Sequence, residues 1–112
     1  MRKFKFGDGT TSNHTIIHDF YLSNLKHKFT EFDHIHIDWQ TPDIHDWNLL
    51  PDDLQTPFIN NVRDCVVICG AIKLLDNIGC KATYTFPDDF FQEYKHPDIE
   101  PMMDFIKEHS DA

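Results

Sequence analysis

The 112 residues predict a single small α/β domain: a three-stranded, mostly parallel sheet with helices packed on it, in the order β-α-β-α-β-α-α. Two observations carry that expectation. Stretches at 33–39 and 80–86 alternate apolar and polar residues with period two, the mark of a strand with one wet face. Around them lie stretches with apolar residues every three or four positions, the mark of helices; a helix joining two strands favours parallel pairing through a right-handed crossover. A chain of this length buries one core and not two.

In chain order, Arg2 to Phe6 alternates basic and aromatic residues, which suits an edge strand with Phe4 and Phe6 facing inward. Gly7 to Asn13, GDGTTSN, is a turn in which Thr11, Ser12 or Asn13 can cap the next helix. From His14 to about Phe29, residues Ile16, Ile17, Phe20, Tyr21, Leu25 and Phe29 form one apolar stripe. In the strand at 33–39, Ile35, Ile37 and Trp39 point one way and His34, His36 and Asp38 the other. Thr41 to Gln55, with two prolines and four aspartates, reads as an irregular loop whose Trp47 tucks back onto the domain.

The densest apolar stretch follows, from Thr56 to Pro87. Thr56 can cap a helix, Pro57 suits its first turn, and Asn77 with Gly79 supplies the stop, so the helix should run from about Phe58 to Ile78. Its middle turns lack a polar face, since Cys65, Val67, Ile68 and Ala71 fill the gaps between Val62, Val66, Cys69 and Ile72. Such a helix has to be covered on more than one side. A strand from Cys80 to Phe86 comes next, then a short helix from Asp88 through Tyr94 and a terminal helix from Pro97 to Glu108.

The net charge is −9, divided unevenly: residues 1–29 sum to +3 and the rest to −12. Between Lys28 and Arg63 there is no Lys or Arg, while Glu31, Asp33, Asp38, Asp43, Asp46, Asp52 and Asp53 crowd the same span. That balance argues against direct nucleic-acid binding and against an anionic membrane surface, and for a basic partner. Three cysteines within sixteen residues make no disulfide framework and read as small apolar fillers. With no signal-peptide pattern and no apolar run of membrane length, the expected location is cytoplasmic.

The succession of an acidic strand end, a loop, a helix stopped at a glycine and a return to the sheet is similar to the order of elements in STAS-like regulatory domains and barstar-type inhibitors. That resemblance implies a regulatory or inhibitory binding role. HIHID at 34–38 resembles the His-x-His-x-Asp ligand run of metallo-β-lactamase-type hydrolases, and Gly7 to Thr11 resembles the phosphate loop of chaperonins.

Three sets of residues are candidates for function. Asp38, Trp39, Asp43, Asp46, Trp47, Asp52 and Asp53 interleave carboxylates with indoles, which suits docking on a basic protein or enzyme. His14 and His18 share a helix face, and His34 and His36 share a strand face, so the four together could hold zinc. Gly7, Gly9, Thr10 and Thr11 offer backbone N–H groups to an anion at a helix start. A plain turn and ordinary polar faces are the simpler account of the last two sets. The paired aspartates, Asp52 with Asp53 and Asp88 with Asp89, suit helix capping better than catalysis.

The reading favoured by the charge is a small, non-enzymatic, acidic binding protein: an inhibitor, immunity protein, nucleic-acid mimic or regulator docking on a basic nucleic-acid-handling partner. Alternatives are a metal-dependent or phosphate-binding enzyme using the histidine faces and the turn, and an accessory subunit of a larger assembly.

Overall fold

A computed structural model of the chain describes residues 2–40, 57–87, 90 and 100–110, with 57–62 as helix backbone. Its elements are β1 (Lys3–Phe6), α1 (Asn13–His27), β2 (His34–Asp38), α2 (Pro57–Ile78), β3 (Lys81–Thr85) and α3 (Glu100–Glu108). The fold is α/β, with a three-stranded parallel sheet in the order β1-β2-β3. The short helix expected at 88–94 lies outside the described residues apart from Phe90, and the terminal helix is described over Glu100–Glu108, its expected start at Pro97 lying outside the described residues.

Strand order has a direct consequence for the two faces of the sheet. Both crossovers step in the same direction, so two right-handed connections place α1 and α2 on one side. Phe4 and Phe6 of β1, Ile35 and Ile37 of β2, and Ala82 and Tyr84 of β3 lie side by side in register and turn toward those helices. There they meet Ile16 and Phe20 of α1 and Ile68, Ile72 and Leu75 of α2, all fully buried. Each such side chain contributes about 2 kcal/mol by leaving water. The Phe6, Phe20 and Phe29 rings close this core at the β1 edge, with centroids 5.6–6.3 Å apart.

Local chemistry sets the element ends. Ser12 caps α1, its side chain accepting from the Thr15 N–H. The helix stops at Lys28, which takes a left-handed φ of 51° and donates its N–H to the Asn24 carbonyl at 2.8 Å. The Asn24 side-chain oxygen accepts the next N–H, from Phe29, at 3.0 Å, so one residue satisfies both N–H groups at the helix end. Gly79, with φ 83°, ends α2 and lets the chain re-enter the sheet at Lys81.

Two polar clamps hold the sheet at its ends. At the start of the strands Arg2 grips Asp33 in a two-pronged pair of 2.9 and 2.8 Å and also donates to the His27 and Lys28 carbonyls. The Arg2 guanidinium, helped by the Thr30 N–H, holds the Asp33 carboxyl down at about 2. At the far end the buried Asn13 side chain accepts the Gln40 N–H at 2.7 Å and donates to Asp64 of α2 at 3.0 Å. Three elements are joined through one amide.

α2 is covered on two sides, as its composition requires, but the buried stripe differs from the expected one. Asp64, Cys65, Ile68, Ala71, Ile72 and Leu75 are buried, whereas Val66 is half exposed. α3 covers the second side: the Cys65 thiol lies 3.6 Å from the Met103 sulfur, and the Cys69 thiol donates to the Met102 carbonyl at 3.8 Å. Burial pushes the Cys65 thiol up to about 12 and raises Cys69 and Cys80 as well, which leaves all three as thiols rather than nucleophiles. No described helix is long and apolar enough to cross a membrane.

Candidate functional site

With both crossover helices on one side, no described element covers the opposite face of the sheet, which carries polar residues. Register places them in rows: Lys3, His34 and Lys81; then Lys5, His36 and Thr83; then Asp38 and Thr85. Purely parallel sheets are ordinarily covered on both faces, so a polar face that is bare among the described residues is an unusual feature for such strands.

These side chains form one hydrogen-bonded line. The Asp38 carboxylate accepts from His36 Nε2 at 2.9 Å and from the Thr85 hydroxyl, and the Lys5 ammonium stands 3.7 Å away. Because a carboxylate only accepts, His36 carries its proton on Nε2 and presents Nδ1 as an acceptor when neutral. The Thr83 hydroxyl donates to that nitrogen at 2.7 Å and in turn accepts from His34 Nε2 at 3.3 Å. Burial works against the charge on Asp38, yet the Thr85 and His36 hydrogen bonds outweigh it, so its carboxyl titrates below the usual range. The face is therefore an ordered polar surface with its one acid internally matched among the described residues.

Beside this line, Lys3, Phe4, Lys5, His34 and His36 line a groove of about 270 Å³. The Phe4 ring packs on His27 and Phe29. No described carboxylate lies within ion-pair distance of Lys3 or Lys81.

The sequence-derived candidates fall out differently. Trp39 is only 1% exposed and belongs to the core, so it is not the surface indole expected of a docking anchor. Its backbone N–H donates to the Thr85 carbonyl at 2.9 Å and extends the ladder by one residue. Asp38 lies on the bare face, tied to His36 and Thr85; Asp43, Asp46, Trp47, Asp52 and Asp53 lie outside the described residues.

The four histidines are not brought together. His34 and His36 project from the bare face, whereas His14 and His18 lie on the exposed side of α1, across the sheet, with His18 bonded to Asp19 at 3.1 Å. Among the described residues no three His, Cys, Asp or Glu side chains are grouped to hold a metal ion.

In the turn at 7–11 the Thr10 N–H and both threonine hydroxyls are already engaged. Asp8 Oδ1 accepts from the Thr10 N–H at 2.9 Å, the Thr10 hydroxyl at 2.8 Å and the Thr11 hydroxyl at 2.7 Å. The Thr11 hydroxyl and the Thr10 groups hold the Asp8 carboxyl down at about 2. An internal carboxylate thus occupies the place of the external anion. The two glycines serve the backbone: Gly7 and Gly9 have φ values of 85° and 89°.

Sequence reasoning missed Lys3, Lys5, Thr83, Thr85 and Lys81 as members of a site. The signal was present in the shared period of the three strands, but only register joins them. Comparison with protein-family models, with characterised proteins and with solved structures finds no match for this chain.

Proposed function

We propose that this protein acts by binding rather than by catalysis, docking as an inhibitor or regulator on a basic protein partner. The observation that carries the reading is the charge imbalance: seven acids and no Lys or Arg between Lys28 and Arg63, in a chain of net charge −9. Clustered acids speed encounter with a cationic surface and select against anionic ones. Two of the seven, Asp33 and Asp38, are spent on Arg2 and on the polar line of the sheet. The docking charge then falls to Glu31 and to Asp43, Asp46, Asp52 and Asp53, with Trp47 as the remaining indole of that span.

The test is a quantitative pull-down from the native host, with captured proteins identified and their charge known. Wild type should retain a basic protein whose recovery falls as salt is raised, as expected for a charge-steered complex. Recovery should drop about tenfold for Asp43→Lys with Asp46→Lys, and again for Trp47→Ala. Equal recovery of the same partner from all the variants, or a partner held independently of salt, would remove the proposed surface.

A further inference from the structure

The bare face of the sheet differs in charge from the rest of the molecule. Lys3, Lys5 and Lys81 stand on it with His34 and His36, and its one described acid, Asp38, is engaged by His36 and Thr85. A chain of net charge −9 thus presents a local cationic surface with two lysines, Lys3 and Lys81, that no described carboxylate neutralises. Register fixes its dimensions. Lys3 lies beside His34 and Lys5 beside His36, so the four side chains rise from the corners of a rectangle about 5 Å across the strands and about 7 Å along them.

We infer that this groove is a binding site for the phosphate monoester group of a small molecule, held between Lys3 and Lys5 of β1 and His34 and His36 of β2. A phosphoryl group centred over that rectangle reaches both ammonium groups with charge-assisted hydrogen bonds, and lysine serves such a group as a mobile point charge. His36 has both ring nitrogens engaged, by Asp38 and Thr83, and His34 turns Nε2 to Thr83, so the imidazoles wall the groove while the two lysines supply the charge-assisted bonds.

Size and charge narrow the ligand further. A groove of about 270 Å³ takes a phosphate with a compact organic group, at the small end of the ~300–1,000 Å³ usual for ligand pockets. A nucleic-acid backbone would bring many phosphates against the acidic remainder of the chain, which opposes it. This site shares none of the carboxylates assigned to docking at 43–53, so the two readings stand or fall separately.

The experiment is a titration of the full chain with phenyl phosphate and with inorganic phosphate, followed by calorimetry and by NMR shifts of the β1 and β2 amides. Benzoate serves as the carboxylate control, and a phosphotyrosine peptide as the macromolecular source of the same group. Phenyl phosphate should bind saturably, with shifts confined to residues 3–6 and 34–38, and benzoate should bind about tenfold more weakly. Lys3→Gln, which breaks no ion pair, should weaken phenyl phosphate binding about tenfold, and Lys3→Gln with Lys5→Gln should abolish it; Lys26→Gln, exposed on α1, should change nothing. Melting curves confirm that the variants fold. No saturable binding, undiminished binding in the Lys3 variant, or benzoate binding as well as phenyl phosphate would overturn the site. Tighter binding of the peptide than of phenyl phosphate would overturn the assignment to a small molecule.

Discussion

Replacing Trp39 with alanine is expected to cost the isolated domain about 3–5 kcal/mol, enough to move its urea midpoint far down or leave it partly unfolded. The reason is position. Trp39 follows Ile35 and Ile37 in the inward row of β2, is 1% exposed, and is held in the ladder by its backbone N–H on the Thr85 carbonyl of β3. Truncation would open a cavity where the sheet meets the helical layer. A docking anchor behaves otherwise: its removal leaves the free protein as stable as before and weakens only the complex. Trp39→Phe refines the test. It keeps most of the apolar contact and removes the indole N–H, which has no hydrogen-bond partner among the described residues, so it should cost clearly less than the alanine variant. An unchanged midpoint for Trp39→Ala would return the residue to the surface.

Gly7→Ala is the second large effect, expected at about 3 kcal/mol. Here β1 ends and the chain passes directly over β2. A Cβ at Gly7 would sit 2.4 Å from the Asp38 carbonyl oxygen and 3.1 Å from both the Asp38 Cβ and the Ile16 Cδ1. Backbone cannot yield as a side-chain tip does. The φ of 85° adds its own penalty for any residue with a Cβ. Gly9 provides the control, because it has nearly the same φ and open space around it. Gly9→Ala should therefore cost about 1 kcal/mol, from backbone strain alone. Equal midpoints for the two alanine variants would mean that the close approach to Asp38 does not exist in solution.

Gly7 also marks where reading the sequence stops. Its place in a turn is plain from GDGTTSN, but the reason only glycine fits is a carbonyl thirty-one residues away. Elements with a strong local period were legible: the alternation of HIHID, the long helix opening at Pro57, and its stop before Gly79. Trp39 was legible too, since the same alternation puts it with Ile35 and Ile37; an indole among carboxylates suggested an interface only when period was set aside for composition. Asp8 was a local signal passed over, an acid two residues before the threonine whose N–H it takes.

The bare face was not legible, for a physical reason. Each strand announces one wet side, but whether helices cover that side depends on strand order and on the direction of two crossovers. Those follow from pairings between residues about thirty to forty-seven positions apart. Two alternating patterns meet there, KFKF in β1 and KATYT in β3, and neither says that it flanks His34 and His36.

That one-sided covering can be measured directly by NMR with a neutral gadolinium chelate as a solvent probe. The ring protons of His34 and His36 should broaden strongly, while the methyls of Ile35 and Ile37, one residue away along the same strand, should keep their line widths. Equal protection of histidines and isoleucines would mean that another layer covers the polar face, and would contradict the account.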